Sequence, residues 1–134
     1  MDNRGVLAHF TLATTDIERT AAFIEQTLGY ARKPLPENAS RSAVWFDIGR
    51  GQEMHVLYAE GFEISPHEAE FGRHVAMFHP LSDFPALKAR LAGAGAVLID
   101  PIRPTPFERF FFREPVNGYV FEVIDQARAS HLDQ

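Results

Sequence analysis

Six histidines and eighteen carboxylates, with no cysteine, set the chemistry open to this chain of 134 residues. No disulfide, thiolate zinc site, iron–sulfur cluster or cysteine nucleophile can form, so a metal would be held by nitrogen and oxygen donors. Four of these side chains fall into two pairs. His9 and His74 lie 65 residues apart, each inside an apolar run. His55 and Glu122 lie 67 apart, each central in the run that closes its half of the sequence. Taken singly, a mid-strand histidine is ordinarily a hydrogen-bonded core or edge residue, and a mid-strand Glu faces solvent. Taken as pairs at matching places, they make a candidate metal site. A buried ionised carboxylate such as Glu122 needs a partner, and a divalent cation held by imidazoles supplies one.

The elements that must position these residues follow from the spacing of apolar side chains. Val6 to Ala13 alternates as a strand, with Phe10 and Leu12 on one face and His9 and Thr11 on the other. Thr15-Asp16-Ile17-Glu18 has the form of a capping box. Ile17, Ala21, Ile24 and Leu28 then recur at helical spacing until Gly29. Arg32 to Arg41, with Pro34, Pro36 and Asn38, reads as a loop. Ser42 to Ile48 and Glu53 to Ala59 read as strands joined by a Gly49–Gln52 hairpin.

The plan then recurs. Arg73 to Phe78 is a strand, Ser82 or Asp83 caps a helix running to Ala92, and Gly93 and Gly95 end it. Ala96 to Ile99, Phe107 to Arg113 and Tyr119 to Ile124 complete the set as strands. Gly29 and Gly95, at matching helix ends, are 66 residues apart, between the 65 and 67 of the donor pairs. The pattern predicts one α+β domain over 1–134. It consists of a module at 5–60, a linker at 61–71, a second module at 72–126 and a polar tail at 127–134. Each module follows the order strand, helix, strand, strand, strand.

Composition excludes several functions. Hydrophobic residues at 46% can build a core, and charged residues at 23% are ordinary for a globular chain. The net charge of −5, without a basic run, argues against nucleic acid and anionic membranes as partners. The apolar run Val6 to Ala8 is too short for a signal peptide, and no run approaches a membrane span. The expectation is a soluble, cytoplasmic protein acting on a small molecule. Arg103, Arg109 and Arg113 would face an anionic substrate or, more simply, line a solvated strand edge. Trp45, Phe46 and the phenylalanines of 107–121 read as sheet packing. Glu53 is placed to support a ligand histidine from outside the coordination sphere. His67, His79 and His131 fall in loop or terminal contexts, read as exposed, and receive no role.

The sequence resembles the vicinal oxygen chelate superfamily, which includes glyoxalase I, extradiol dioxygenases, fosfomycin-resistance enzymes and bleomycin-resistance proteins. The resemblance covers residues 6 to 126. Its carriers in the first half are His9-Phe10-Thr11-Leu12, Asp16-Ile17-Glu18-Arg19-Thr20, Leu28-Gly29-Tyr30, Trp45-Phe46-Asp47-Ile48-Gly49 and Gln52-Glu53-Met54-His55-Val56-Leu57. In the second half they are Arg73-His74-Val75-Ala76, Leu91-Ala92-Gly93-Ala94-Gly95 and the run from Phe112 to Val123. The superfamily's closing motif, Asp-Pro-Asp-Gly-Asn-x-x-Glu, is altered here. Glu114 replaces the first Asp and one extra residue separates Pro115 from Gly118, while the Gly118-to-Glu122 spacing is kept.

The resemblance implies two paired βαβββ modules forming a cupped mixed sheet with helices outside, the glyoxalase-like fold. Carried over residue by residue, it implies that His9, His55, His74 and Glu122 hold a divalent ion: zinc, nickel, iron(II) or manganese. It also implies a homodimer, a common state among small members that often build sites from both chains. Glyoxalase-like isomerases more often place a Glu where His55 stands. Three imidazoles and one carboxylate leave a divalent centre with net positive charge, suited to an anionic substrate but short of one base. Four protein ligands on an octahedral ion leave two positions, the number a bidentate substrate needs.

The function implied is a metal-dependent glyoxalase-like lyase or isomerase, with Glu122 also moving a proton. Its small substrate would chelate the ion through vicinal oxygens. The alternatives are an iron(II) extradiol-type dioxygenase using His9, His74 and Glu122, or a non-enzymatic antibiotic-binding resistance protein.

Overall fold

A computed structural model of the chain describes residues 2–39 and 42–131. They belong to two compact units, Met1–Phe62 and Glu63–Gln134, whose boundary lies within the segment expected as a linker. The N-terminal unit contains β1 (His9–Thr14), α1 (Ile17–Thr27), β2 (Ala31–Lys33), β3 (Ala43–Gly49) and β4 (Gln52–Tyr58). The C-terminal unit contains β5 (Val75–His79), α2 (Phe84–Gly93), β6 (Val97–Ile99), β7 (Arg109–Arg113) and β8 (Val120–Asp125). Each unit folds as a four-stranded mixed sheet, in the order β1-β4-β3-β2 and β5-β8-β7-β6. The first pair in each order is parallel and the other two are antiparallel. The class is α+β.

Strand register makes the repeat a structural fact. Thr11 stands opposite His55, and Ala76 opposite Glu122, which reproduces the offsets of 65 and 67. Trp45 and Phe111, 66 apart, flank the same two residues from the other side. The extra residue enters at the last hairpin, since Asp47 pairs Glu53 while Arg113 pairs Val120. Glu114 organises that longer turn. Its buried carboxylate accepts hydrogen bonds from the amides of Val116 at 2.7 Å and Asn117 at 2.8 Å.

Alternation gives each sheet one apolar face for its helix. In the N-terminal unit Leu12, Phe46, Met54 and Val56 are fully buried, as are Ala21 and Ile24 of α1. In the C-terminal unit Phe112, Phe121, Leu87 and Leu91 are fully buried, and Phe84 meets Phe110 edge-on at 5.2 Å. Each fully buried side chain among these, Ala21 excepted, contributes about 1.5–3 kcal/mol. The opposite face of each central strand carries His55 or Glu122.

Several local expectations change. β1 starts at His9, and Val6 and Leu7 are exposed. Asp16, not Thr15, caps α1, its carboxylate accepting from the Arg19 amide at 3.1 Å. Glu18 turns outward to Arg32. Part of the segment read as a loop from Arg32 is strand β2, because pairing with β3 overrides weak local propensity until Pro34. Ser40 and Arg41 of that loop, and 132–134 of the tail, lie outside the described residues. The tail forms a 3-10 turn over Gln126–His131, and the His131 side chain is not among those described. Among the described residues no helix is long and apolar enough to cross a membrane.

The segment before β5 is held firmly to the C-terminal sheet. Buried Glu68 accepts from the Arg73 guanidinium at 2.8 Å and the Val120 amide at 2.9 Å. The Arg73 amide donates to the His67 carbonyl at 2.8 Å. Gly72 makes that turn possible, for a Cβ there would lie 1.9 Å from the His67 carbonyl oxygen. His74 follows directly, at the entry to β5 instead of mid-strand.

Candidate metal centre

In the C-terminal unit β5 and β8 bring His74 and Glu122 edge to edge. His74 Nε2 lies 3.2 Å from Glu122 Oε1. Its Nδ1 faces the Ala69 carbonyl at 3.0 Å, an atom that can only accept, so Nδ1 carries a proton. Nε2 is then left pointing at a carboxylate, an arrangement that a second proton or a shared cation satisfies. Two donors bound at about 2.1 Å and at right angles on one ion sit about 3 Å apart. The observed spacing fits that demand. Phe111 closes the side of the His74 ring, edge-on at 5.2 Å.

Glu122 is buried and its second oxygen is also engaged. Arg109 Nη1 donates to Oε2 at 3.0 Å. Arg109 Nη2 reaches Glu70 Oε2 at 3.2 Å and the Arg103 carbonyl. The guanidinium also lies over the Phe111 ring at 5.2 Å. Burial pushes the Glu70 carboxyl up. Hydrogen bonds from the Ile102 and Arg103 amides and from Arg109 outweigh that, so it titrates below the ordinary range. A solvated strand edge does not describe Arg109, whose side chain is only 3% exposed. An arginine in strand register beside a predicted buried Glu was the signal that sequence reasoning passed over.

The N-terminal unit holds its pair differently. His55, buried on central strand β4, is flanked by rings from both neighbouring strands. Trp45 of β3 stacks on it at 3.9 Å with planes 1° apart, and His9 of β1 stacks at 4.0 Å and 14°. An imidazole donates its lone pair in the plane of its ring. Two nearly parallel rings therefore do not aim their lone pairs at one ion. Glu53, as the sequence suggested, supports His55 from the same strand, with Oε1 at 2.9 Å from Nε2. Its other oxygen pairs with Lys33. Hydrogen bonds from His55, then from Lys33, hold the Glu53 carboxyl below the ordinary range.

The four predicted ligands thus stand as two pairs, one within each unit. Among the described residues no three His, Asp or Glu side chains converge on a cation position. Of the histidines given no role, His67 is exposed. His79 is half-buried and bonded to Asp83 at 2.8 Å, which corrects its expected exposure.

The fold agrees with the comparisons. Residues 6–123 match the model of the Glyoxalase/Bleomycin resistance protein/Dioxygenase superfamily, and the chain belongs to that superfamily. Among solved structures it is similar to a protein assigned to the glyoxalase family from Bacillus anthracis. The two are 25% identical, with a TM-score of 0.70, covering 89% of this chain and 93% of the other. It shares the fold of the fosfomycin resistance protein FosX from Mesorhizobium loti, at 19% identity, TM-score 0.68 and 97% and 98% coverage. FosX from Listeria monocytogenes, as a variant complexed with Mn(II) and 1S,2S-dihydroxypropylphosphonic acid, matches at 18% identity, TM-score 0.72 and the same coverage. A comparison with curated proteins finds no match.

Proposed function

We propose that the chain is a metal-dependent glyoxalase-like lyase or isomerase acting on a small substrate with two adjacent oxygens. The observation that carries this reading is the edge-on approach of His74 Nε2 to Glu122 Oε1. His9, His55, His74 and Glu122 are the proposed ligands, and a homodimer is the proposed assembly. A bound divalent ion would supply Lewis acidity to the chelated oxygens as they gain negative charge. His74, fixed through Nδ1 by the Ala69 carbonyl, presents Nε2 in a set orientation. His55 has Nε2 engaged by Glu53, so Nδ1 is its donor. Glu122, leaving its ligand position transiently, would accept a proton from the substrate at Oε1 and return it at the neighbouring atom. Phe111, fully buried and directly across from Glu122 in the sheet, keeps water from the carboxylate's side.

One observation favours a second reading. The stack and the Glu53 bond hold His55 away from a donor role, which leaves His9, His74 and Glu122, the two-His-one-carboxylate set of iron(II) dioxygenases. Elemental analysis after metal supplementation tests both readings, with wild type beside His74→Ala and Glu122→Ala. Stoichiometric metal in wild type and none in the variants is expected. Its absence from wild type overturns both. Isomerisation of a hemithioacetal against oxygen uptake with catechols then separates them.

A further inference from the structure

In the C-terminal unit Arg109 touches Glu122 from the side away from His74, and the repeat offers no counterpart. Register places Ala43 where Arg109 stands, each opposite the apolar residue two places beyond the central-strand donor, Leu57 or Ile124. A buried guanidinium at this place is therefore a feature of this sheet and not a demand of the fold. Its cost is met on both sides, by Glu122 Oε2 at 3.0 Å and Glu70 Oε2 at 3.2 Å. Glu70 is itself anchored by the Ile102 and Arg103 amides at 2.7 and 2.9 Å. Arg109 is thus held from behind, and its grip on Glu122 is not that of a loose surface pair. Its Nε is buried with no hydrogen-bond partner among the described residues, so the bridge between the carboxylates is maintained at some cost.

We infer that Arg109 is a positioning residue that restricts Glu122 to one-oxygen coordination. This rests on the metal reading above. With Oε2 committed to Nη1, only Oε1 faces His74 Nε2, and the carboxylate does not chelate an ion through both oxygens. Each oxygen withheld from the ion keeps one coordination position for the substrate. Specificity for bidentate ligands follows from that vacancy count, and it is set by an arginine that need not touch the substrate.

Mn(II) titration of wild type, R109K and the double variant R109M/E70Q tests this. Electron paramagnetic resonance of the free ion reads affinity, and proton relaxivity reads bound water. The double variant removes one positive and one negative charge, so the local charge sum is that of wild type and Glu70 is not left as an unpaired carboxylate. Freed of Arg109, Glu122 chelates. The double variant loses the relaxivity of about one bound water and binds Mn(II) about tenfold tighter, as ligand count predicts. R109K keeps a cation on Oε2 and the wild-type water number.

A folded double variant with wild-type relaxivity and affinity overturns the inference, as does one that binds more weakly. A second measurement does not depend on the variants folding. The Mn(II)-induced infrared difference spectrum of wild type shows the wide carboxylate splitting of one-oxygen coordination, and a chelating splitting overturns the inference. Wild type that takes up no Mn(II) overturns the metal reading itself, an outcome distinct from either.

Discussion

In the C-terminal unit the candidate donor pair meets edge to edge, while in the N-terminal unit it lies face to face. The backbone frames are equivalent, with the same strand order, the same register and offsets that drift by single residues. The difference lies in what flanks the central-strand donor. Glu122 has Arg109 on a neighbouring strand and Phe111 beside it, and neither covers the edge that faces His74. His55 has a tryptophan on one side, a second imidazole on the other, and Glu53 at its Nε2. Backbone geometry thus brings two candidate donors together in each unit, but neighbouring side chains decide how they face each other.

That contrast is broken most directly by removing the donors one at a time. Glu122→Ala and His74→Ala should each lower metal affinity by about a hundredfold or more, at or beyond the upper range seen for outer partners of a metal. His9→Ala and His55→Ala should cost less, about tenfold, because the stack must be undone before those rings can bind. Isothermal titration with one divalent ion measures all four. Equal losses in both units would mean that the stack is no impediment, and the asymmetry would have no functional content.

The frame was legible because periodicity reports it well. Phe10 and Leu12 against His9 and Thr11, and Phe46, Met54 and Val56 along β3 and β4, carry the period-2 signal that fixes which residues share a face. The offsets of 65 and 67 located Glu122 and its partners without any knowledge of register. Short or irregular elements left no such signal. β2 has three residues, two of them charged or basic neighbours of Pro34, so only its pairing with β3 shows that it is a strand. Arg109 failed for another reason. A sequence shows that it is charged but not that Glu70 and Glu122 are both within its reach, and those two carboxylates allow it to be buried. The state of His55 was equally hidden, because stacking depends on side-chain rotation.

Trp45 offers an internal reporter for the second contrast, being the chain's only tryptophan and in contact with His55. If a metal draws on the imidazoles of the N-terminal unit, the stack opens and Trp45 emission changes in step with metal occupancy. Emission that stays constant through saturation would leave the N-terminal pair outside the coordination sphere. Glu53→Gln weakens the hold on His55 and removes the charge that Lys33 pairs with. Its expected cost is about tenfold in metal affinity, the lower end of the range for outer partners, with a shifted Trp45 emission before any metal is added.

The smallest effect concerns how the two modules start their helices. Asp16 caps α1 directly through its side chain, whereas Asp83 makes no such bond to α2 and turns to Arg90 and His79. Hydrogen bonds from Arg90, and next from His79, hold the Asp83 carboxyl at about 2, below its ordinary value of 3.8. A depressed carboxyl stabilises the fold fully above its unfolded value, and that contribution fades as pH falls from 3.8 toward about 2. Asp83→Asn removes the titration, so its Tm should fall less steeply than that of wild type across this window. The effect is small because the side chain is partly exposed and solvent screens it. Parallel Tm profiles for the two proteins down to pH 2 would show that the Asp83 pairs with Arg90 and His79 add nothing to stability.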